Sequence, residues 1–137
     1  MKNPIAIQDW HTINRALDSI HKVLNIDFKF DKSKTEEYRN AILCIFYRLP
    51  IPLIYCSHNS TKYEYCLLSE NTILEAFAHY KNDEFDIQDE MISGKFSELG
   101  LATRRRVLEI EVSVKVLSYV DDEVLAQVKG MLLQLKK

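Results

Sequence analysis

Apolar residues near the N-terminus recur at steps of three and four, which is the spacing of one face of a helix. The spacing predicts a helix over about residues 7–24, whose apolar face consists of Trp10, Ile13, Leu17, Ile20 and Leu24. Polar residues fall on its other faces. Such a face suits docking either on the rest of the same chain or on a partner helix, and the sequence leaves both possibilities open.

Helical spacing also appears in four later stretches of the chain. It predicts helices at about 35–48, 70–80, 102–108 and from 121 to the C-terminal region. Pro50 and Pro52 end the first of these, because proline lacks the amide hydrogen that a helix needs. Ser69 is the predicted N-cap of the second. Asp121 and Asp122 suit the start of the last helix, where the helix dipole favours negative charge.

Alternation of apolar and polar residues, the pattern of a half-buried strand, separates these helices. It predicts strands at 26–30, 53–56, 63–68 and 110–117, the last with Val112, Val114 and Val116 on one face. A polar turn between the second and third strands indicates a hairpin. Helices mixed with short strands, some joined by a hairpin, predict an α+β fold.

Composition narrows the function classes. The 137 residues suit one domain, with 47% hydrophobic and 28% charged residues as in globular proteins. A net charge of −2 provides no overall basic field to attract nucleic acid or an anionic membrane. The three glycines are not spaced as a phosphate-binding loop. Three cysteines and no secretory or membrane-spanning segment predict reduced thiols and a cytoplasmic location.

Few residues carry patterns of site chemistry. The basic cluster Arg104, Arg105 and Arg106 fans around its predicted helix, which favours a solvated face over a phosphate contact. The histidines show no zinc spacing; His79 is predicted to be structural, and His58 to be exposed in a turn. Cys44 and Cys66 are predicted to be buried, and four tyrosines (47, 55, 63 and 65) to cluster near the hairpin. We therefore expect no metal site and no cofactor.

The order of short phrases after Phe28 resembles a known family. Leu49–Ile54 reads Leu-Pro-Ile-Pro-Leu-Ile after a helix, where the family has Leu-Pro-Ile-Pro-Pro-Ile. Asn82–Ile87, Gly94–Leu99, the strand Glu109–Leu117 and an acidic-started helix follow in the family's order. The chain thus resembles the N-terminal domain of GmrSD-type modification-dependent restriction enzymes. The resemblance implies a ParB/sulfiredoxin-like fold over 26–137, with a helical extension over 1–25.

The nucleotide-hydrolysis motif of that family, Asp-Gly-Gln-Gln-Arg, has no counterpart here. Its place is taken by Leu68–Ile73, which contains no glycine or arginine and adds the negative Glu70. The resemblance therefore implies the fold without the activity. The alternative is a divergent nucleotide-binding enzyme that uses Lys29, Ser69, Asn71 and Thr72, and a third possibility is weak nucleic-acid binding through the arginine cluster.

The leading hypothesis from the sequence is a non-catalytic interaction or regulatory module. The resemblance implies a bacterial or phage defence setting for it. A protein partner or a second copy is expected, with no membrane. The predicted contact residues lie on the first and last helices: Trp10, Ile13, Leu17, Ile20, Leu132 and Leu135.

Overall fold

Helices and short strands are mixed along the chain. The computed structural model describes residues 10–59, 62–119 and 122–135. The strands are β1 (Trp10–Ala16), β2 (Ile54–Asn59), β3 (Glu64–Leu67), β4 (Ile87–Gln88), β5 (Ser93–Gly94) and β6 (Glu111–Tyr119). The helices are α1 (Leu17–Leu24), α2 (Thr35–Phe46), α3 (Thr72–Lys81), α4 (Leu101–Glu109) and α5 (Asp122–Leu135). This confirms the predicted α+β class.

Two compact units divide these elements. One contains the described parts of 1–15, 53–70 and 112–137, and the other contains 16–52 and 71–111. The described part of the predicted extension, residues 10–25, is therefore shared: its first half provides a strand to the first unit and its second half a helix to the second.

A four-stranded mixed sheet in the order β1-β6-β2-β3 forms the first unit. Strand β2 runs parallel to β6 and antiparallel to β3. Asn14 on β1 accepts a hydrogen bond from Ser113 at 2.7 Å, and Thr12 accepts one from Lys115 at 2.7 Å. Because these pairs run in opposite directions along the two strands, β1 is antiparallel to β6.

Helix α5 packs on one face of this sheet. Its residues Leu125, Val128 and Leu132 are spaced by three and four and contact a cluster that includes Leu68 and Leu117. Leu117 points to this face while its neighbour Val116 points to the other, as strand alternation requires. Both are buried. The alternation predicted for this strand is confirmed, since Val112, Val114 and Val116 are buried and Ser113 is exposed.

Helices α1–α4 and the two-residue strands β4 and β5 form the second unit. The hydroxyl of Tyr38 on α2 donates to Glu75 on α3 at 2.7 Å, and Lys81 on α3 donates to Asp18 on α1 at 2.6 Å. Apolar side chains between the helices exclude water, and the largest of the buried ones include Leu17, Tyr38, Ile42, Leu74, Phe77 and Tyr80. Burial of this kind is the main favourable contribution to folding.

The single helix predicted over 7–24 is wrong in its first half, where Trp10–Ala16 is a strand. Residues 7–9 lie outside the described part. Thr12 and Ile13 are β-branched, and pairing with β6 gives their backbone hydrogen-bond partners in a sheet. Trp10 and Ile13 therefore point to opposite faces of a strand rather than sharing a helix face.

Most other predicted elements are confirmed, with shifted ends. The helices at 35–48, 70–80 and 102–108 are α2, α3 and α4, the hairpin is β2–β3, and the last strand and helix are β6 and α5. The strand predicted at 26–30 is wrong, because these residues have no regular structure. Phe28 and Phe30 instead direct their rings at His79.

Candidate functional site

Among the residues predicted for nucleotide binding, Asn71 has a role in the end of its own helix. Asn71, rather than the predicted Ser69, is the N-cap of α3, and its side chain accepts the Leu74 amide hydrogen at 2.9 Å. Its amide oxygen is thus already used in closing the helix end. Thr72 and Lys29 are exposed, and within the described residues no hydrogen bond or ion pair joins them.

The arginine cluster lies on α4, as predicted. Arg105 and Arg106 are exposed, whereas Arg104 is half-buried. The Nε of Arg104 is buried and has no hydrogen-bond partner among the described residues. Consecutive residues of a helix point about 100° apart, so these three guanidinium groups do not face one phosphate track.

The contact residues predicted on the first and last helices are largely occupied within the protein. Leu17 and Ile20 are buried, and the Trp10 ring packs edge-on against Tyr55 with 6.3 Å between centroids. Leu132 packs against the core under α5, Ile13 is half-buried, and the Leu135 side chain lies outside the described part. The partner surface predicted on a single helix over 7–24 is therefore not present. Trp10–Ala16 is a strand, and the apolar face of the helix that follows it is buried.

Histidine and cysteine positions differ partly from expectation. His58 lies on β2, half-buried, with its ring centroid 4.5 Å from that of Tyr65, so its predicted exposure in a turn is wrong. Cys44 and Cys66 are half-buried rather than buried, while Cys56 is buried. Burial raises the pKa of the Cys56 thiol to about 12, which makes it unreactive. Among the described residues no group of histidine, cysteine or acidic side chains could hold a metal ion.

His79, predicted to be structural, is buried in a cluster of aromatic rings at the end of α3. It is 1% exposed, and its Nδ1 lies 2.5 Å from a carboxylate oxygen of Glu84. The rings of Phe30 and Tyr38 have centroids 5.2 and 5.3 Å from that of His79. The Nε2 atom is buried without a hydrogen-bond partner in the described structure. The contacts of Phe28 and Phe30 with His79 hold the 26–31 segment against α3.

A different arrangement occurs where α2 ends. The Tyr47 hydroxyl donates to Oδ2 of Asp89 at 2.6 Å, and the Met91 backbone N–H lies 3.3 Å from the same oxygen. The hydrogen bond to Asp89 raises the pKa of the Tyr47 hydroxyl. Tyr47 is 53% exposed and Met91 is 78% exposed. One carboxylate oxygen therefore bonds to the Tyr47 hydroxyl and to the Met91 backbone, and we call these two exposed residues the Tyr47–Met91 patch.

The hairpin that carries Asp89 is itself tied to α2. Arg39 donates through Nη2 to the Asp86 carboxylate and through Nε to the Asp86 carbonyl, both at 2.9 Å. The ion pair with Arg39 lowers the pKa of Asp86. The β4–β5 turn next to Asp89 borders a depression of about 440 Å³ lined by Gln88, Asp89, Glu90 and Ser93. Two contacts, Arg39–Asp86 and Tyr47–Asp89, thus connect the hairpin to α2, and the patch lies beside the acidic side chains of Asp89 and Glu90.

Sequence reasoning missed the Tyr47–Met91 patch. It expected Tyr47 near the β2–β3 hairpin together with Tyr55, Tyr63 and Tyr65. Tyr55 and Tyr65 do lie on the two strands of the hairpin, but the bond between Tyr47 and Asp89 was not foreseen. Tyr63 is exposed, Tyr65 contacts His58, and Tyr55 contacts Trp10. The partner of Tyr47 is 42 residues away in sequence, and a separation of that size carries no local signal.

The comparisons with known proteins provide no relative from which to transfer a function. No family model, curated protein or solved structure matches the chain. Among the described helices none is long and apolar enough to cross a membrane.

Proposed function

We propose that this chain is a non-catalytic protein-interaction module that binds a partner protein through the Tyr47–Met91 patch. The hydrogen bonds of Asp89 to both residues of the patch are the observation that carries the proposal. Tyrosine and methionine are enriched where proteins bind one another, and a ring held in place loses little conformational freedom on binding. Leaving both side chains in water costs the isolated protein free energy, which burial against a partner would recover.

The chemistry around the patch defines the kind of partner. Asp89 and Glu90 line the adjacent depression, so a basic side chain would be favoured there. Leu49, which follows Tyr47 by two residues, is a further exposed apolar residue at this end of α2. A partner segment with an apolar side chain next to a lysine or arginine fits both features.

The wider assignment follows the family resemblance. We propose a diverged ParB/sulfiredoxin-like domain of the GmrSD type, acting as a regulator or accessory subunit in a bacterial or phage defence system. It is supported by the order of elements, in which α2, the Leu-Pro-Ile-Pro phrase, a hairpin, α3, α4, β6 and α5 follow one another as the resemblance implies. The use of Asn71 as a helix cap supports a loss of the nucleotide-binding role.

Selection from a displayed library of short random peptides tests the partner. We expect enriched peptides to combine an apolar residue with lysine or arginine. Their binding should fall at least about tenfold, or 1.4 kcal/mol, in the double variant Tyr47→Ala, Met91→Ser. The matched control is Leu101→Ser, which changes another exposed apolar residue of the same unit. Equal binding to the double variant, or the absence of any enriched peptide, would overturn the patch as the binding surface.

Thermal unfolding with magnesium and nucleoside triphosphates tests the non-catalytic part of the proposal. A ligand present at about 100 times its dissociation constant stabilises a protein by about 2.7 kcal/mol. That would raise the melting temperature by several degrees in a chain of this size. We expect no shift. A shift that is lost in Asn71→Ala but retained in Leu101→Ser would replace the interaction module with a nucleotide-binding protein.

A further inference from the structure

Helix α5 has a second apolar line that faces away from the sheet. Leu125, Val128 and Leu132 face the core. Ala126, Gly130 and Leu133 are all exposed, and Leu133 is 55% exposed. The spacings of four and three residues between them place all three on one side of the helix over two turns.

The shape of this line complements itself. A Cβ added at Gly130 would meet nothing within 4 Å, so the backbone is open to close approach there. Ala126 is small and Leu133 is large, and they lie on either side of Gly130. When two such helices run antiparallel and cross near Gly130, the large residue of each lies opposite the small residue of the other. Under twofold symmetry, this pairing of a large with a small residue occurs twice in the dimer.

Charge along the sequence of α5 favours the same orientation. In the sequence, Asp121 and Asp122 stand at the start of the α5 segment, and Lys136 and Lys137 follow Leu135, its last residue. An antiparallel pair brings the acidic end of each copy to the basic end of the other, whereas a parallel pair brings like charges together. The helix dipoles are also opposed in the antiparallel pair.

We propose that α5 pairs antiparallel with α5 of a second copy of the chain, with Ala126 of one copy opposite Leu133 of the other. The proposal goes beyond the proposed function, since it uses other residues and a different occupant. A helix of 14 residues is about 21 Å long, and one helix pair buries less area than a standard interface. We therefore expect a reversible dimer rather than a permanent one.

Sedimentation equilibrium of the full chain over a range of concentrations tests the pairing. We expect a mass that rises from 16.0 kDa towards twice that value. Leu133→Asp should weaken dimerisation at least about tenfold, the equivalent of 1.4 kcal/mol. Met131→Asp is the matched control, because Met131 is equally an exposed apolar residue of α5 but points to another side. A monomer at every concentration, or equal loss in both variants, would overturn the proposal.

Two further variants separate failed folding from failed pairing. Gly130→Gln fills the close-approach position and raises helix propensity, so it should abolish the dimer without lowering the melting temperature. Reversing Lys136 and Lys137 to Glu should weaken the dimer, and adding Asp121→Lys with Asp122→Lys should restore it. A dimer that survives Gly130→Gln, or a charge reversal that is not rescued, would overturn the antiparallel arrangement. Peptide binding to the Tyr47–Met91 patch should be unchanged in all of these variants, so the two proposals fail separately.

Discussion

Helices α2 and α3 end in the same backbone motif but lead to opposite surroundings. In both, the residue after the C-cap adopts the left-handed conformation, which lets the following backbone N–H groups bond to the last carbonyls of the helix. Glycine usually occupies that position, yet here it is Arg48 with φ 54° and Asp83 with φ 60°. A side chain in this conformation costs about 1–2 kcal/mol. What differs between the two ends is how the neighbouring side chains are used.

The end of α3 uses its side chains in contacts with the rest of its unit. Asp83 accepts the Ser97 amide hydrogen at 2.9 Å, and Glu84 contacts the imidazole of His79. Phe85, the next residue, is buried. Side-chain bonds and burial therefore offset the strain of the left-handed residue at this end.

The end of α2 turns its side chains outward. Tyr47, Arg48 and Leu49 are all exposed. The backbone bonds of the motif are nevertheless present, and the Leu49 N–H donates to the Cys44 carbonyl with an N···O distance of 3.0 Å. Apolar surface that a folding chain could bury stays at the surface here. The contrast supports a binding role for the α2 end and a structural role for the α3 end.

Alanine substitutions at the two ends should give the largest difference. His79→Ala removes a buried ring from the aromatic cluster and leaves a cavity, which should lower the free energy of unfolding by about 3 kcal/mol. Tyr47→Ala removes an exposed ring and should change it by less than about 0.5 kcal/mol. Urea unfolding of both variants measures this. Comparable losses would mean that the α2 end is also part of the folded core.

Glycine substitutions at the left-handed positions should give a smaller and opposite effect. Arg48→Gly relieves backbone strain at an exposed residue, but glycine loses more conformational entropy on folding. The net effect should be a gain of about 0.5–1 kcal/mol in the free energy of unfolding. That amounts to a few degrees in melting temperature.

Asp83→Gly relieves the same strain but loses the hydrogen bond to Ser97. It should therefore stabilise less than Arg48→Gly, or destabilise. Thermal melts of the two variants under one set of conditions provide the comparison. A larger gain at Asp83 than at Arg48 would show that its side-chain bond contributes nothing.

The sequence predicts the regular elements well where the local pattern is long. Both α2 and β6 follow from periodicity alone, and the Leu-Pro phrase marks the end of α2. It fails where a distant strand decides the backbone: Trp10 and Ile13 fit a helix face, but pairing with β6 makes a strand. It also fails by two residues at α3, where Ser69 and Asn71 are both good caps and only the fold selects between them.

The candidate site was not predictable in the same way. Local patterns indicate that Tyr47 lies near a helix end and that Asp89 lies in an acidic stretch. Their contact depends on how the β4–β5 hairpin is held to α2, through Arg39 and Asp86. Contacts between residues so far apart are fixed by packing, which one sequence does not encode in any short window.

The smallest expected effect is a difference in pH dependence between the two ends. The hydrogen bond from the Ser97 backbone lowers the pKa of Asp83, so its contribution to stability is present above the ordinary value near 4 and is lost as pH falls through the lowered value. The hydrogen bond to Asp89 raises the pKa of Tyr47, so that contribution is present below about 10 and is lost as pH rises through the raised value.

Two conservative variants separate the acid limb and the alkaline limb of the curve of stability against pH. Asp83→Asn keeps an acceptor for Ser97 and tolerates the left-handed conformation, but it has no carboxyl group to titrate. The loss of stability between about pH 7 and about pH 3 should therefore be smaller than in the parent chain, with the alkaline limb unchanged. Tyr47→Phe should make the loss of stability at alkaline pH smaller and leave the loss at acid pH as it is. If Asp83→Asn leaves the acid limb unaltered, the bond at the α3 end does not offset its backbone strain, and the contrast between the two helix ends loses its electrostatic part.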